Sequence, residues 1–211
     1  MARLSGPMFS LDASGKFGGS TVFAKWKGRN YARQLVIPKN PKAAKQVGCR
    51  VMYSFLAKAW KALTAPNKAT YDDLAIADQI STFNAYMSKN LARWQLSKPP
   101  TQAYPAAEAT GGCVITTAPL TGHAGYATAV ITPATNANIW GVAVYRDTVA
   151  ITDPSWANCV GIVFRSGVTA FTFTDSPLEA GTYHYRFAQF NTDGVLGTVL
   201  ADASVVVTAA P

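Results

Sequence analysis

Histidine, cysteine and acidic side chains are scarce in this 211-residue chain, which has two His, three Cys and 11 Asp plus Glu. Neither His123 nor His184 stands near a cysteine or an acidic cluster at metal-ligand spacing, so both read as ordinary loop and strand residues. Cys49, Cys113 and Cys159 are odd in number and form no CxxC or CxxH pair. They read as buried free thiols, with a Cys113 to Cys159 bridge as the alternative. No run approaches the roughly 18 apolar residues that span a bilayer, and MARLSGPMFSLDASGK lacks the apolar stretch of a signal peptide. The expectation is synthesis in a cytoplasm and no membrane partner. The stretch from Ser14 to Thr21 lacks the GxxxxGK[ST] order of a phosphate loop and reads as a turn. Asp72 and Asp73 are adjacent, so on a helix their carboxylates diverge and suit solvation better than paired acid–base work. No catalytic residue, metal or cofactor is expected.

What the chain does have is a divided charge. Residues 1–98 carry 16 of the 19 Lys and Arg against four acids, net +12; residues 99–211 carry three against seven, net −4. Two modules with different partners are the natural reading. In the first, TVFAKWKGRNYARQLVI gives two strand-like runs broken at Lys27-Gly28, a β-hairpin with aromatic and basic side chains close together. A helix follows, with Asn40 as its cap and Pro41 in its first turn. Its apolar positions Ala44, Val47, Val51, Met52, Phe55, Leu56, Ala59 and Leu63 recur at three- and four-residue intervals. Lys42, Lys45, Gln46, Arg50 and Lys61 are assigned to its other face. Thr64 and Ser81 cap two further helices, one through Tyr71, Leu74 and Ala75 and one through Phe83, Tyr86, Met87, Asn90, Leu91 and Trp94. These helices need one another, and the hairpin, to cover their apolar faces.

Pro99, Pro100 and Pro105, ending at Gly111-Gly112, predict an extended semi-rigid spacer. Beyond it, about seven short alternating runs predict an antiparallel β-sandwich. The expected fold is α+β. It comprises a hairpin and three-helix module over 1–98, a linker over 99–112, and an all-β sandwich over 113–211.

The second module resembles a fibronectin type III or related immunoglobulin-like domain. The likeness rests on LEAGTYHYRFAQFNTDGVLG at residues 178–197, in which Tyr183 matches the tyrosine corner and Asn191 and Gly194 the following turn. Trp140 fits the buried core tryptophan. Between Leu178 and the tyrosine the segment departs from the common spacing by one residue. Residues 15–75 resemble an uncharacterised family encoded among the structural genes of tailed bacteriophages and prophages. They share its Gly-rich start, the basic hairpin from Trp26 to Tyr31, the Pro-Lys-Asn-Pro entry at 38–41, and the helix ending Ala59-Trp60-Lys61-Ala62-Leu63-Thr64. That resemblance implies a virion component and supplies no catalytic residues.

The candidate site is the basic and aromatic surface of Lys25, Trp26, Lys27, Arg29, Tyr31, Arg33, Lys39, Lys42, Lys45 and Arg50, a span that holds no acid. Such a surface docks an acidic protein lattice or binds nucleic-acid phosphates with aromatic stacking. Alternatively it is a solvated face with Trp26 and Tyr31 in a local core. The leading expectation is a non-enzymatic structural protein of a tailed-phage particle, located in the virion and repeated in a lattice. Its basic module anchors to other virion proteins of the capsid, tail or neck. Its sandwich faces outward as decoration or adhesion module, with a host-surface ligand as a further partner. A nucleic-acid-binding protein is the alternative. A carbohydrate-active accessory protein is a third class, for which Trp140 and Trp156 are the exposed-aromatic candidates and paired carboxylates are missing.

Overall fold

A computed structural model describes residues 2–3, 15–26, 29–37, 43–108, 115–133, 139–164 and 169–210. The chain divides into two compact units, Met1–Pro41 and Lys42–Pro211. The boundary expected at 99–112 is therefore corrected: the helices belong with the sandwich, for the packing reasons given below. The α+β class holds.

The first unit is a four-stranded antiparallel sheet of β1 (Ala2–Arg3), β2 (Gly15–Phe17), β3 (Thr21–Trp26) and β4 (Arg29–Gln34), in the order β1-β4-β3-β2. The expected hairpin is its centre, β3 against β4; the Lys27-Gly28 turn lies outside the described residues. The Gly-rich stretch supplies both a strand and a turn. At the turn Gly18 takes φ +59°, a left-handed conformation that favours glycine.

The second unit opens with α1 (Ala44–Ala62), whose cap position is Ala43 with no side-chain bond. The expected Asn40 cap and Pro41 entry lie outside the described residues. Thr64 accepts the Asn67 N–H at 3.5 Å and starts α2 (Ala65–Ala69). The single second helix expected here is split. The Thr70 hydroxyl donates to the Asn67 carbonyl at 2.7 Å and the Tyr71 N–H to Lys68 O, so the chain turns before α3 (Asp72–Ala77) begins. Ser81 caps α4 (Thr82–Gln95) as expected, accepting the Asn84 N–H at 3.2 Å.

Eight strands follow among the described residues, where about seven were expected. They are β5 (Ile115–Thr117), β6 (Leu120–His123), β7 (Tyr126–Pro133), β8 (Ile139–Asp147), β9 (Cys159–Phe164), β10 (Phe171–Asp175), β11 (Gly181–Asn191) and β12 (Ala203–Val207). One sheet has the order β10-β7-β5, with β6 also on β7; the other runs β12-β11-β8-β9. Between them lies an apolar core that includes Ile131, Val142, Val144, Phe171, Tyr185 and Phe187.

A second core covers the other face of the β12-β11-β8-β9 sheet. Trp140, Ala143, Tyr145, Ala188 and Phe190 pack there with Met52, Phe55, Leu56 and Ala59 of α1 and with Tyr71, Tyr86 and Trp94. The Phe55 ring meets Trp140 and Phe190 edge-on at 5.2 and 5.4 Å. From Ile139 to Tyr145 every residue of β8 is buried, so this strand is apolar on both faces and needs a layer on each. That is why helices and sandwich form one unit. The apolar stripe of α1 is covered by the sheet.

Trp140 is buried, at 2% exposure, but in the helix–sheet core. The β8–β11 register shifts at Phe190/Asn191, pairing Gly141 with Phe190 and Ile139 with Asn191, so Trp140 is left without an opposite residue. Gly141 has to be glycine, since a Cβ there would stand 2.5 Å from the Phe190 ring. Trp156 is half-buried beside the same core. Neither tryptophan is an exposed platform, which corrects the basis of the carbohydrate-binding alternative.

The proline stretch is a strap and not a free spacer, a second correction. Pro99, Pro100 and Thr101 are buried. The Thr101 N–H donates to Asn90 Oδ1 at 2.7 Å, and Tyr71 Oη donates to the Thr101 carbonyl at 3.2 Å. The Gln102 and Glu108 N–H groups donate to Thr192 O and Asp193 O at 3.0 and 3.1 Å. Arg93 reaches Pro99 O and Gly194 O, both at 3.1 Å, and pairs with Glu108 at 3.2 Å. Proline and polarity predict an extended segment, and extended it is; the Thr101 and Tyr104 amides find partners among the helices, and those of Gln102 and Glu108 in the turn after β11, which lies too far along the chain for local pattern to reveal.

Candidate interaction surface

The pairing of β3 with β4 decides which candidate residues share a face. Residues directly opposite across a sheet project to the same side. Val22 pairs with Arg33, Ala24 with Tyr31 and Trp26 with Arg29, while Lys25 pairs with Asn30. Arg29, Tyr31 and Arg33 therefore lie on one face, and Lys25 on the other beside Phe23 and Ala32. The register adds a cation that sequence reasoning missed: Lys16 of β2 is opposite Val22, in one row with Arg33. Its only sequence signal is the glycine-rich turn that folds β2 back onto β3.

Arg29, Arg33, Lys16 and Lys25 are exposed and Tyr31 is half-buried. Among the described residues of this unit there is no acidic side chain. Lys16 and Arg33 are separated by one intervening strand, about 10 Å at the usual strand spacing. That is close to a Debye length at physiological salt, so the like charges repel only weakly, yet their summed field favours an anionic partner.

No described side chain of the first unit is buried. Val22, Phe23, Ala24, Tyr31 and Ala32 reach only intermediate burial, and Val36 and Ile37, just after β4, are 69% and 82% exposed. A sheet ordinarily buries one apolar face against a second layer. Here the sheet offers apolar and cationic surface together.

Lys27, Lys39 and Lys42 lie outside the described residues. Lys45 and Arg50 are exposed on α1 in the second unit, but five positions apart they differ by about 140° around the helix. Lys45 falls on the side of buried Met52, two turns ahead of it, which corrects its expected place on the outer face; Arg50 is opposite. Lys45 and Arg50 thus do not share one face of α1.

The second unit carries its own polar arrangements. His184 and Asp202 make a 2.6 Å contact, and the Ile151 N–H donates to Asp202 at 3.1 Å. Burial works to raise the Asp202 carboxyl, but these two bonds prevail and hold it below its ordinary value. Eighteen residues separate His184 from Asp202, a pairing that strand register creates and spacing does not announce. Tyr183 Oη donates to the Glu179 carbonyl at 3.1 Å, the upstream backbone bond of a tyrosine corner. Cys159 is buried and free, and burial pushes its thiol up to about 12. Cys49 is also free and half-buried, whereas Cys113 lies outside the described residues.

No protein-family model and no curated protein matches the chain. Among solved structures it is similar to the FN1–FN3 domains of chicken CNTN1, at 14% identity and TM-score 0.36, over 48% of this chain and 36% of that one. A superoxide reductase (neelaredoxin) from Ignicoccus hospitalis is similar at 18% identity and TM-score 0.29, over 46% of this chain and 81% of that one. The cupredoxin domain of amoB from Nitrosocaldus yellowstonii is similar at 19% identity and TM-score 0.22, over 41% and 56%.

Proposed function

We propose that this chain is a non-enzymatic structural component of a tailed-phage virion. The first unit anchors it to neighbouring subunits, and the second displays a fibronectin type III-like sandwich outward. One observation carries the reading: a 41-residue sheet unit with seven Lys and Arg against one acid and no buried side chain among its described residues. Such a sheet gains its missing layer from a partner, and its charge selects an acidic one. The strand order of the sandwich and the Tyr183 corner support the fibronectin-like part. An anchored small module with an exposed sandwich favours the capsid lattice over tail or neck.

The test is mass spectrometry of purified particles with copy-number estimation. Hundreds of copies mean a lattice protein and a handful mean tail or neck; detection only in unassembled lysate overturns the proposal. Deleting residues 1–41 abolishes incorporation if the first unit is the anchor.

A second reading, nucleic-acid binding, is favoured by the placement of Lys16, Arg29, Arg33 and Tyr31 on one face. Retention of the full chain on DNA or RNA that falls steeply with salt supports it. A flat salt response, or no retention at low salt, rejects it.

A further inference from the structure

The β12-β11-β8-β9 sheet has two edges of different character. At β12 the edge is closed: Ala124 bridges to Thr208, and Gly122 sits so near that a Cβ would stand 1.9 Å from the Val206 carbonyl. At β9 the one ladder partner among the described residues is β8. Its sequence, CVGIVF, has no charge and no proline, the usual guards of an exposed edge. Alternate residues of such a strand turn their N–H and C=O groups away from the sheet.

Alongside this edge runs a groove of about 470 Å³, which takes walls from both layers. Phe164, 41% exposed, has its ring 6.0 Å from Phe55 of α1, while Val163 and Phe173 come from the core between the sheets. On the helix side the groove is lined by Arg50 and Lys58. Gly161 keeps its floor low, since a Cβ there would stand 2.5 Å from the Phe173 ring.

We propose that the β9 edge is a strand-addition site for an extended partner peptide that alternates acidic and aliphatic side chains. The chemistry follows from the pleat. A strand added to β9 sends alternate side chains to opposite sides. One parity reaches the α1 side, where carboxylates meet Arg50 and Lys58. The other packs against Val163 and Phe173. A second copy of the chain is the poorer occupant, because β9 against β9 brings two sets of Arg50 and Lys58 together. The site belongs to the second unit and is independent of the proposed anchor.

The probe is a fluorescein-labelled seven-residue peptide alternating valine with glutamate, titrated into the full chain by fluorescence anisotropy. The control peptide carries lysine in place of glutamate. Saturable binding of the glutamate peptide, at least about fivefold tighter than the control, is expected from two charge pairs at a partly exposed groove. The double variant Arg50→Glu with Lys58→Glu, on an exposed helix face and so expected to fold, reverses the preference. No saturation by either peptide, or equal binding of both to both proteins, overturns the proposal. So does concentration-dependent dimerisation in sedimentation that the charge-reversal variant strengthens, which assigns the edge to a second copy.

Discussion

The two units differ in how their sheets meet water. In the second unit β8 is buried on both faces, and the residues of one strand serve two cores. In the first unit four strands carry no buried side chain among the described residues. Net charge follows the same line: +6 over 41 residues in the first, +2 over 170 in the second. The sheet whose strand β8 is buried on both faces belongs to a nearly neutral unit, whereas the sheet with no buried side chain among its described residues belongs to the strongly basic one.

The largest test of this contrast is to express residues 113–211 alone. The chain then exposes the Trp140, Tyr145 and Phe190 face that α1 covers, and it shows no cooperative unfolding transition by calorimetry; a sharp transition near that of the full chain would break the comparison. Next in size is a pair of single substitutions. Phe55→Ala lowers stability by about 3–5 kcal/mol in urea titration, as expected for a buried aromatic that loses its ring contacts. Phe23→Ala, at a half-buried position of the first unit, costs about 1 kcal/mol or less. Equal losses would mean that the first unit has a core after all.

Asn90→Ala examines the strap. It leaves the buried Thr101 N–H without its acceptor and costs about 1–3 kcal/mol, read as a shift in the urea midpoint with unchanged slope. The smallest effect belongs to Asp202. Its carboxyl is held below its ordinary value in the folded protein, so its contribution is full above about pH 4 and is lost as pH falls through the lowered value. Asp202→Asn flattens that acid limb by less than about 1 kcal/mol, measured as thermal midpoints from pH 5 to pH 2.5.

Much of the local structure is legible in sequence, because caps and periodicity act over a few residues. Thr64 and Ser81 start their helices, and the α1 stripe of Met52, Phe55, Leu56 and Ala59 is buried as its spacing predicts. What a stripe does not name is its partner. The faces of Ala143, Tyr145, Ala188 and Phe190 lie more than 80 residues further on, and only the continuous apolar run of β8 hints that a sheet is buried twice. The candidate site shows the same limit. Tyr31, Arg29 and Arg33 share a face as their alternation suggests, but Lys16 joins them through register and Lys25 leaves them for the same reason.

The contact between Phe55 and Phe190 has a consequence for synthesis on the ribosome. The helix is made first, yet the ring that covers it is translated about 135 residues later. At about 5–20 residues per second, the apolar stripe of α1 waits roughly 7–27 s for its sheet. During that interval only α4 and the turn before α3 are on hand to cover part of the stripe, through Tyr71, Tyr86 and Trp94, so the nascent chain carries exposed apolar surface of the kind that chaperones bind.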